Sequence, residues 1–190
     1  MRRQLPTAVA VFVLLSVLTG LVYPLVVTGV AQLAFGPRAD GSLIVRDDLV
    51  VGSSLIGQPF EGSQYFHPRP SAAGDGYDAM ASGASNLGPS NPVLLDAVTR
   101  RRDEYRLTNG LRAHEVVPVD AITGSASGLD PHISAANARL QANRVAEARG
   151  VPLARVLRLL DEATQGRSLA VLGDPGVNVL ELNLALDERL

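Results

Sequence analysis

The stretch Leu5–Phe35 reads LPTAVAVFVLLSVLTGLVYPLVVTGVAQLAF and carries no charged side chain. The nearest charges are Arg3 before it and Arg38 after it. A helix needs only about 20 apolar residues to cross a hydrocarbon core of ~30 Å. This run exceeds that, so its ends are expected in the interfacial zone, or the helix tilts. Thr7, Ser16, Thr19 and Thr28 interrupt it, and each hydroxyl can return to the helix backbone. The competing reading is a cleaved signal peptide, with Gly29-Val30-Ala31 as its small-x-small site. Such peptides have an apolar core of about 7–15 residues, and the longer core here favours a retained anchor. Arg2 and Arg3 flank the front end, whereas Arg38 and Arg46 are mixed with Asp40, Asp47 and Asp48 at the far end. The positive-inside rule then leaves the N-terminus in the cytoplasm and everything after residue 38 outside it. The sequence therefore predicts a single-pass protein of the cytoplasmic (inner) membrane, in contact with lipid. Residues 1–36 form its tip and span, and residues 37–190 its extracytoplasmic domain. Ser16, Gly20 and Pro24 lie one turn apart along one face of the span, as a surface for a partner membrane helix requires. Small pairs at this spacing also arise by chance in apolar segments.

Beyond the span, Gly36-Pro37 is expected to end the helix. Leu43-Ile44-Val45 and Leu49-Val50-Val51 flank the polar Arg46-Asp47-Asp48, which reads as a β-hairpin. Gln64-Tyr65-Phe66 is a candidate strand stopped by Pro68, and Val116–Val119 a candidate edge strand around Pro118. Residues 71–92, SAAGDGYDAMASGASNLGPSNP, predict a long loop. Val93 to about Leu107 reads as a helix stopped by Asn109-Gly110. Ser134 is a good N-cap for a helix to Arg149 closed by Gly150. Pro152 suits the first turn of the next helix, with Leu153, Val156, Leu157 and Leu160 as its apolar stripe. The tail alternates from Leu180 to Leu186 and reads as a strand. The fold class is thus α/β (α+β): one transmembrane helix carrying a compact mixed domain.

Composition narrows the chemistry. The chain has 190 residues, no cysteine and a net charge of −2. Disulfides and thiolate chemistry are excluded, and nothing draws the chain generally to nucleic acid. Every basic residue is arginine, so neither a P-loop nor a Schiff base can be written. The three histidines, His67, His114 and His132, have no metal-helix spacing, and no metal site is expected. Gly124-Ser125-Ala126-Ser127-Gly128 approaches the hydrolase elbow G-x-S-x-G, but alanine occupies the nucleophile position. No catalytic residue is assigned. His67-Pro68-Arg69-Pro70 offers an anion contact through Arg69, or simply a proline-stiffened strand exit. Asp130 starts a turn at Pro131, and His132 is either a ligand or a histidine bonded to nearby backbone. Arg100–Arg102 reads as a solvated helix face.

Several blocks carry a family likeness. They are Gly52-Ser53-Ser54-Leu55-Ile56-Gly57-Gln58 continuing to Tyr65–Ser71, then Ser85-Asn86-Leu87-Gly88-Pro89-Ser90-Asn91-Pro92. They continue with Ser127–Ser134 and the helix bearing Gln141, Arg144 and Val145, and with Leu172–Val179. With the N-terminal anchor, these blocks resemble the C subunit of the Kdp potassium-transporting P-type ATPase over nearly the whole chain. The resemblance implies a non-catalytic accessory or assembly subunit of a high-affinity, ATP-driven potassium uptake complex. It implies three partners: a channel-like A subunit, an ATP-hydrolysing B subunit that uses ATP and Mg, and a small F subunit. The P-type motif D-K-T-G needs lysine, which this chain lacks. The resemblance further implies a catalytic chaperone that raises the B subunit's ATP affinity, with Gln141 as the nucleotide-contacting residue. The charge pattern sets Gln141 outside the cytoplasm, and the alternative there is a surface helix glutamine. Ser16, Gly20, Pro24, His67, Arg69, Asp130 and His132 are the candidate docking residues. The alternative function is a membrane-anchored periplasmic solute-binding protein or hydrolase acting alone.

Overall fold

A computed structural model describes residues 4–169 and 171–190. Arg2 and Arg3, on which the expected orientation rests, lie outside the described residues. The chain divides into two units, one ending at Ser53 and one spanning Ser54–Leu190. The hairpin that follows the apolar run falls in the first unit.

In the first unit, helix α1 (Leu5–Val17), a π turn (Leu18–Val22) and helix α2 (Tyr23–Ala39) join into one apolar rod. It is 35 residues long, none of it buried, and long and apolar enough to cross a membrane. At ~1.5 Å per residue it extends about 50 Å, well beyond a ~30 Å hydrocarbon core. The π turn has a local cause. Pro24 has no N–H to donate to the Gly20 carbonyl, and its ring crowds that carbonyl, so the preceding turn widens. Thr19 returns its hydroxyl to Leu15 O at 2.7 Å. The helix does not stop at Gly36-Pro37. Phe35 leaves helical geometry (φ −139°, ψ 32°) where Pro37 removes the N–H that would reach Leu33, and the chain then coils on to Ala39.

Strands β1 (Leu43–Arg46) and β2 (Leu49–Ser53) form the expected antiparallel hairpin. Asp47 and Asp48 both take positive φ, 48° and 61°, as a type I′ turn requires.

The second unit mixes helices with a small antiparallel sheet in the order β3-β5-β4. Its strands are β3 (His132–Ser134), β4 (Thr164–Gln165) and β5 (Gly176–Asn178). Helices α3 (Pro92–Thr108) and α4 (Val119–Ile122) precede the sheet. Helices α5 (Ala135–Arg149), α6 (Leu153–Ala163) and α7 (Val179–Arg189) supply most of the core. Val145, Val156, Leu160, Leu182 and Leu186 are buried there with Phe66, Ile133 and Val177. The caps of α5 are as read. Ser134 Oγ accepts from Asn137 N at 3.1 Å, and Gly150 closes the helix at φ 65°.

Three expected strands are absent. The tail is helix α7, begun by Asn178 Oδ1 accepting from Glu181 N. Val179, Leu182, Asn183 and Leu186 form a buried stripe at helical spacing, and that stripe prevails over the alternating leucines. Val116–Pro118 is irregular and leads into the single turn of α4, because Pro118 lacks the N–H a ladder needs. Gln64–Phe66 forms no ladder either, because side chains bond the Phe66 backbone in place of a strand. The loop 71–92 is pinned at several points and buries Ala73 completely before α3 starts at Pro92.

Candidate functional site

Helix α5 is rich in alanine, so its buried face comes close to its neighbours. Asn137, Gln141 and Arg144 recur along that face at helical spacing and are all buried. Gln141, 1% exposed, bonds the backbone of the segment crossing it. Its Oε1 accepts from His67 N at 2.7 Å and its Nε2 donates to His67 O at 3.0 Å. Asn183 on α7, 0% exposed, does the same to Phe66: its Oδ1 accepts from N at 2.8 Å and its Nδ2 donates to O at 2.9 Å. Two side-chain amides therefore stand in for a neighbouring strand. Buried backbone amides must find partners, and here they find them on helices.

Arg144, 8% exposed, extends this network. Its Nε donates to Asn109 Oδ1 (2.9 Å), one terminal nitrogen to Ser63 O (2.7 Å) and Tyr65 O (2.9 Å), and the other to Gln141 Oε1 (2.9 Å). Every one of these acceptors is neutral. Burial accordingly lowers the Arg144 pKa from its ordinary value. At the other end, Gln141 Nε2 donates to Asn137 Oδ1, which also accepts from the Tyr105 hydroxyl. Asn137 Nδ2 donates to Asp120, whose carboxylate also accepts from Ser134 N and Oγ. Burial, with the Asp120 charge second, raises the Tyr105 pKa. The sequence reading missed Asn137, Asn183, Asp120 and Tyr105 as site residues; it gave Gln141 as a nucleotide-contacting residue with a surface glutamine as the alternative, and Gln141 is buried. The available signal was the N-x-x-x-Q-x-x-R spacing in an otherwise small, apolar face.

A second cluster brings Arg69, Asp130 and His132 together. One Arg69 terminal nitrogen donates to Asp130 Oδ2 at 2.9 Å, and His132 N donates to Asp130 Oδ1 at 2.9 Å. The His132 Nδ1 lies 3.5 Å from Asp130 Oδ1. His132, with help from Arg69, holds the Asp130 carboxyl at about 2 against the opposing effect of burial. In return Asp130 raises the His132 pKa. His67 points elsewhere, its Nε2 on Gly62 O at 3.0 Å, and burial lowers its pKa. Ser16, Gly20 and Pro24 belong to the apolar rod, and the π turn between them alters their helical register. A Cβ built on Gly20 would meet nothing within 4 Å. Among the described residues no three carboxylates or histidines converge to hold a metal.

The Asp130–His132 pair makes a signed prediction. A lowered Asp130 contributes stability above about pH 4 that is lost as pH falls toward 2. A raised His132 contributes stability below about pH 6.5 that is lost as pH rises through its higher folded value. Asp130→Asn is expected to return the His132 titration, followed by imidazole NMR, to about 6.5 or lower, while His67 stays depressed. An unchanged His132 titration would show that the pairing is not formed in solution.

One apolar rod long enough to cross a membrane, joined to a small helix-and-sheet domain whose Gln141, Asn183 and Arg144 bond its own backbone, is the build expected of a membrane-complex subunit. Comparison makes this particular. The family described as K+-transporting ATPase, c chain (KdpC) matches residues 5–188. A protein of Mycobacterium tuberculosis, "Potassium-transporting ATPase KdpC subunit", is 58% identical over 187 residues, covering 98% of this chain and 99% of that protein. Proteins of the same name in Rhodospirillum rubrum (54% over 189 residues, 100% and 97% covered) and Gemmatimonas aurantiaca (52% over 188 residues, 98% and 94% covered) are also similar. The chain belongs to the KdpC family, and so is a subunit of a potassium-transporting ATPase complex.

Proposed function

We propose that this chain is a non-catalytic accessory subunit that stabilises an ATP-driven potassium uptake complex. The apolar rod anchors it among partner membrane helices, and the chain from residue 37 onward lies outside the cytoplasm. Its partners are the channel-like A subunit, the ATP-hydrolysing B subunit, which uses ATP and Mg, and the small F subunit. Absence of lysine removes the phosphorylation motif of P-type pumps from this chain. A single span cannot by itself build an ion filter, which needs rings of carbonyls or charges from several segments.

The observation that carries this reading is Gln141. Both polar atoms of the residue most suggestive of nucleotide contact are engaged with His67, Asn137 and Arg144. The subunit therefore raises the ATP affinity of its partner indirectly, by holding the assembled membrane part in one arrangement. Arg2 and Arg3 favour a cytoplasmic N-terminus, which sets Gln141 on the side where ATP is scarce.

Two readouts test it. A reporter active only outside the cytoplasm, fused after Leu190, is expected to be active. Gln141→Ala is expected to destabilise the isolated chain by about 1–3 kcal/mol, because it strands half-buried His67 backbone groups. Among complexes that still assemble, the KM for ATP is expected to stay unchanged. An inactive reporter, or a raised KM in a fully assembled Gln141→Ala complex, overturns the proposal.

A further inference from the structure

A cleft of about 310 Å³ opens between the loop 71–92, helix α3 and the segment Thr123–Ala126. Arg101 on α3 forms part of its wall and is only half exposed. One terminal nitrogen of Arg101 reaches Ile122 O, at a long 3.4 Å. Among the described residues no carboxylate lies within ion-pair reach of Arg101, whereas Arg69, Arg139, Arg149, Arg167 and Arg189 all have one. A half-buried guanidinium without a counter-charge loses hydration that one long bond to a neutral carbonyl replaces only in part.

The groups around it complement an anion with an apolar tail. Ser85 and Asn86 line the same cleft, and neither side chain has a hydrogen-bond partner among the described residues. Asn86 is exposed and sits at φ 52°, in the left-handed region that asparagine tolerates better than most residues. Leu87 and Leu94 supply the apolar side. The cleft is preformed. Gly83 N donates to Ser127 O at 2.8 Å, and the Tyr77 hydroxyl donates to Arg69 O at 2.6 Å. Gly124 backs so closely on Pro70 that a Cβ would lie 3.1 Å from its carbonyl oxygen.

We propose that the Arg101 cleft binds a carboxylate that carries a small branched or aliphatic group. The planar guanidinium fork matches a carboxylate with two parallel bonds, and Ser85 and Asn86 are placed to donate to the same group. One cation balances one negative charge. A phosphate dianion would keep part of its charge unbalanced beside Leu87 and Leu94, so the cleft discriminates against it. The carboxylate has two available sources: a free small acid, or an Asp or Glu side chain of an adjoining subunit. The inference does not depend on where ATP acts or on which side of the membrane the domain lies.

Isothermal titration of the full chain in detergent micelles with isobutyrate, and separately with inorganic phosphate, tests this. Saturable isobutyrate binding is expected, weakened at least tenfold by Arg101→Gln and tighter than phosphate binding. Circular dichroism checks that the variant is folded. Should Arg101→Gln fail to fold, Ser85→Ala combined with Asn86→Ala replaces it, both sites being exposed, with severalfold weakening expected. The titration is then repeated on the assembled complex. Loss of the site there assigns its occupant to a partner carboxylate, and retention assigns it to a free acid; either supports the proposal. Absence of saturable isobutyrate binding to the isolated chain, binding indifferent to the substitutions, or tighter binding of phosphate overturns it.

Discussion

Arg144→Met is expected to destabilise the isolated chain by about 3–5 kcal/mol, read as a shift in the urea midpoint of the domain's unfolding. Methionine keeps most of the arginine's length and apolar stem, so packing loss is minor. The loss comes from what stays behind. Ser63 O, Tyr65 O, Asn109 Oδ1 and Gln141 Oε1 all accept from this one guanidinium. Gln141 Oε1 keeps His67 N as a donor and Ser63 is exposed, so the loss falls on Tyr65 O and Asn109 Oδ1; a buried acceptor left without a donor costs about 1–3 kcal/mol, offset in part by the desolvation of the charge itself, which is no longer needed. Arg144→Lys keeps the charge but offers a single compact ammonium in place of a fork bonding in four directions, and should recover less than half of the loss. Unfolding within about 1 kcal/mol of the parent would mean that Gln141, Asn183 and Arg149, which donates to Gln64 O at 2.8 Å, hold the segment 62–67 without Arg144.

The same residues show what the linear sequence can reveal. The hairpin was legible because its signal is local: two β-branched runs and an Asp-Asp turn that tolerates positive φ. Helix α5 was legible because Ser134 and Gly150 mark its ends chemically. The segment Gln64–Phe66 was misread because its partners, Asn183, Arg144 and Arg149, are side chains far along the chain, and no pattern in the segment announces them. Helix α7 was misread because every second residue from Leu180 to Leu186 is apolar, which satisfies period two, while Val179 and Asn183 complete a helical stripe. Asn183 weighed as a polar residue breaks that stripe; as a buried amide bonded to backbone it belongs to it. The apolar rod was read correctly as an element but not in detail, since the π turn depends on where Pro24 meets the Gly20 carbonyl. In the candidate site, Arg69, Asp130 and His132 were each singled out for local reasons. Their assembly into one ion-paired cluster is a product of the fold.

Gly128→Ala is expected to destabilise the domain by about 2–5 kcal/mol and to open the loop 71–92 to proteolysis before the core unfolds. Two effects add at this position. Gly128 has φ 69°, which an L-residue adopts at a cost of roughly 1–2 kcal/mol. Its missing side chain also leaves room for backbone. A Cβ would lie 2.6 Å from Gly83 O, 2.7 Å from Ala73 N and 2.9 Å from Ala73 Cβ. These neighbours are main chain or fully buried, so they cannot swing aside, and overpacking of this kind costs about 1–3 kcal/mol. The loop would be pushed off where Ser71 Oγ donates to Gly128 O and Gly83 N donates to Ser127 O. Arg69 leads into that loop, and its pairing with Asp130 ties the loop's start to the same turn. Loosening the loop should therefore also shift the His132 titration toward its ordinary value, because Asp130 loses its anchor. Limited proteolysis with mapping of the first cut, alongside imidazole NMR, separates the outcomes. Cuts confined to 71–92 with a lowered His132 titration mean that Gly128 is the hinge pin of this surface. First cuts elsewhere, or melting indistinguishable from the parent, would mean that the close approach at Gly128 relaxes without consequence.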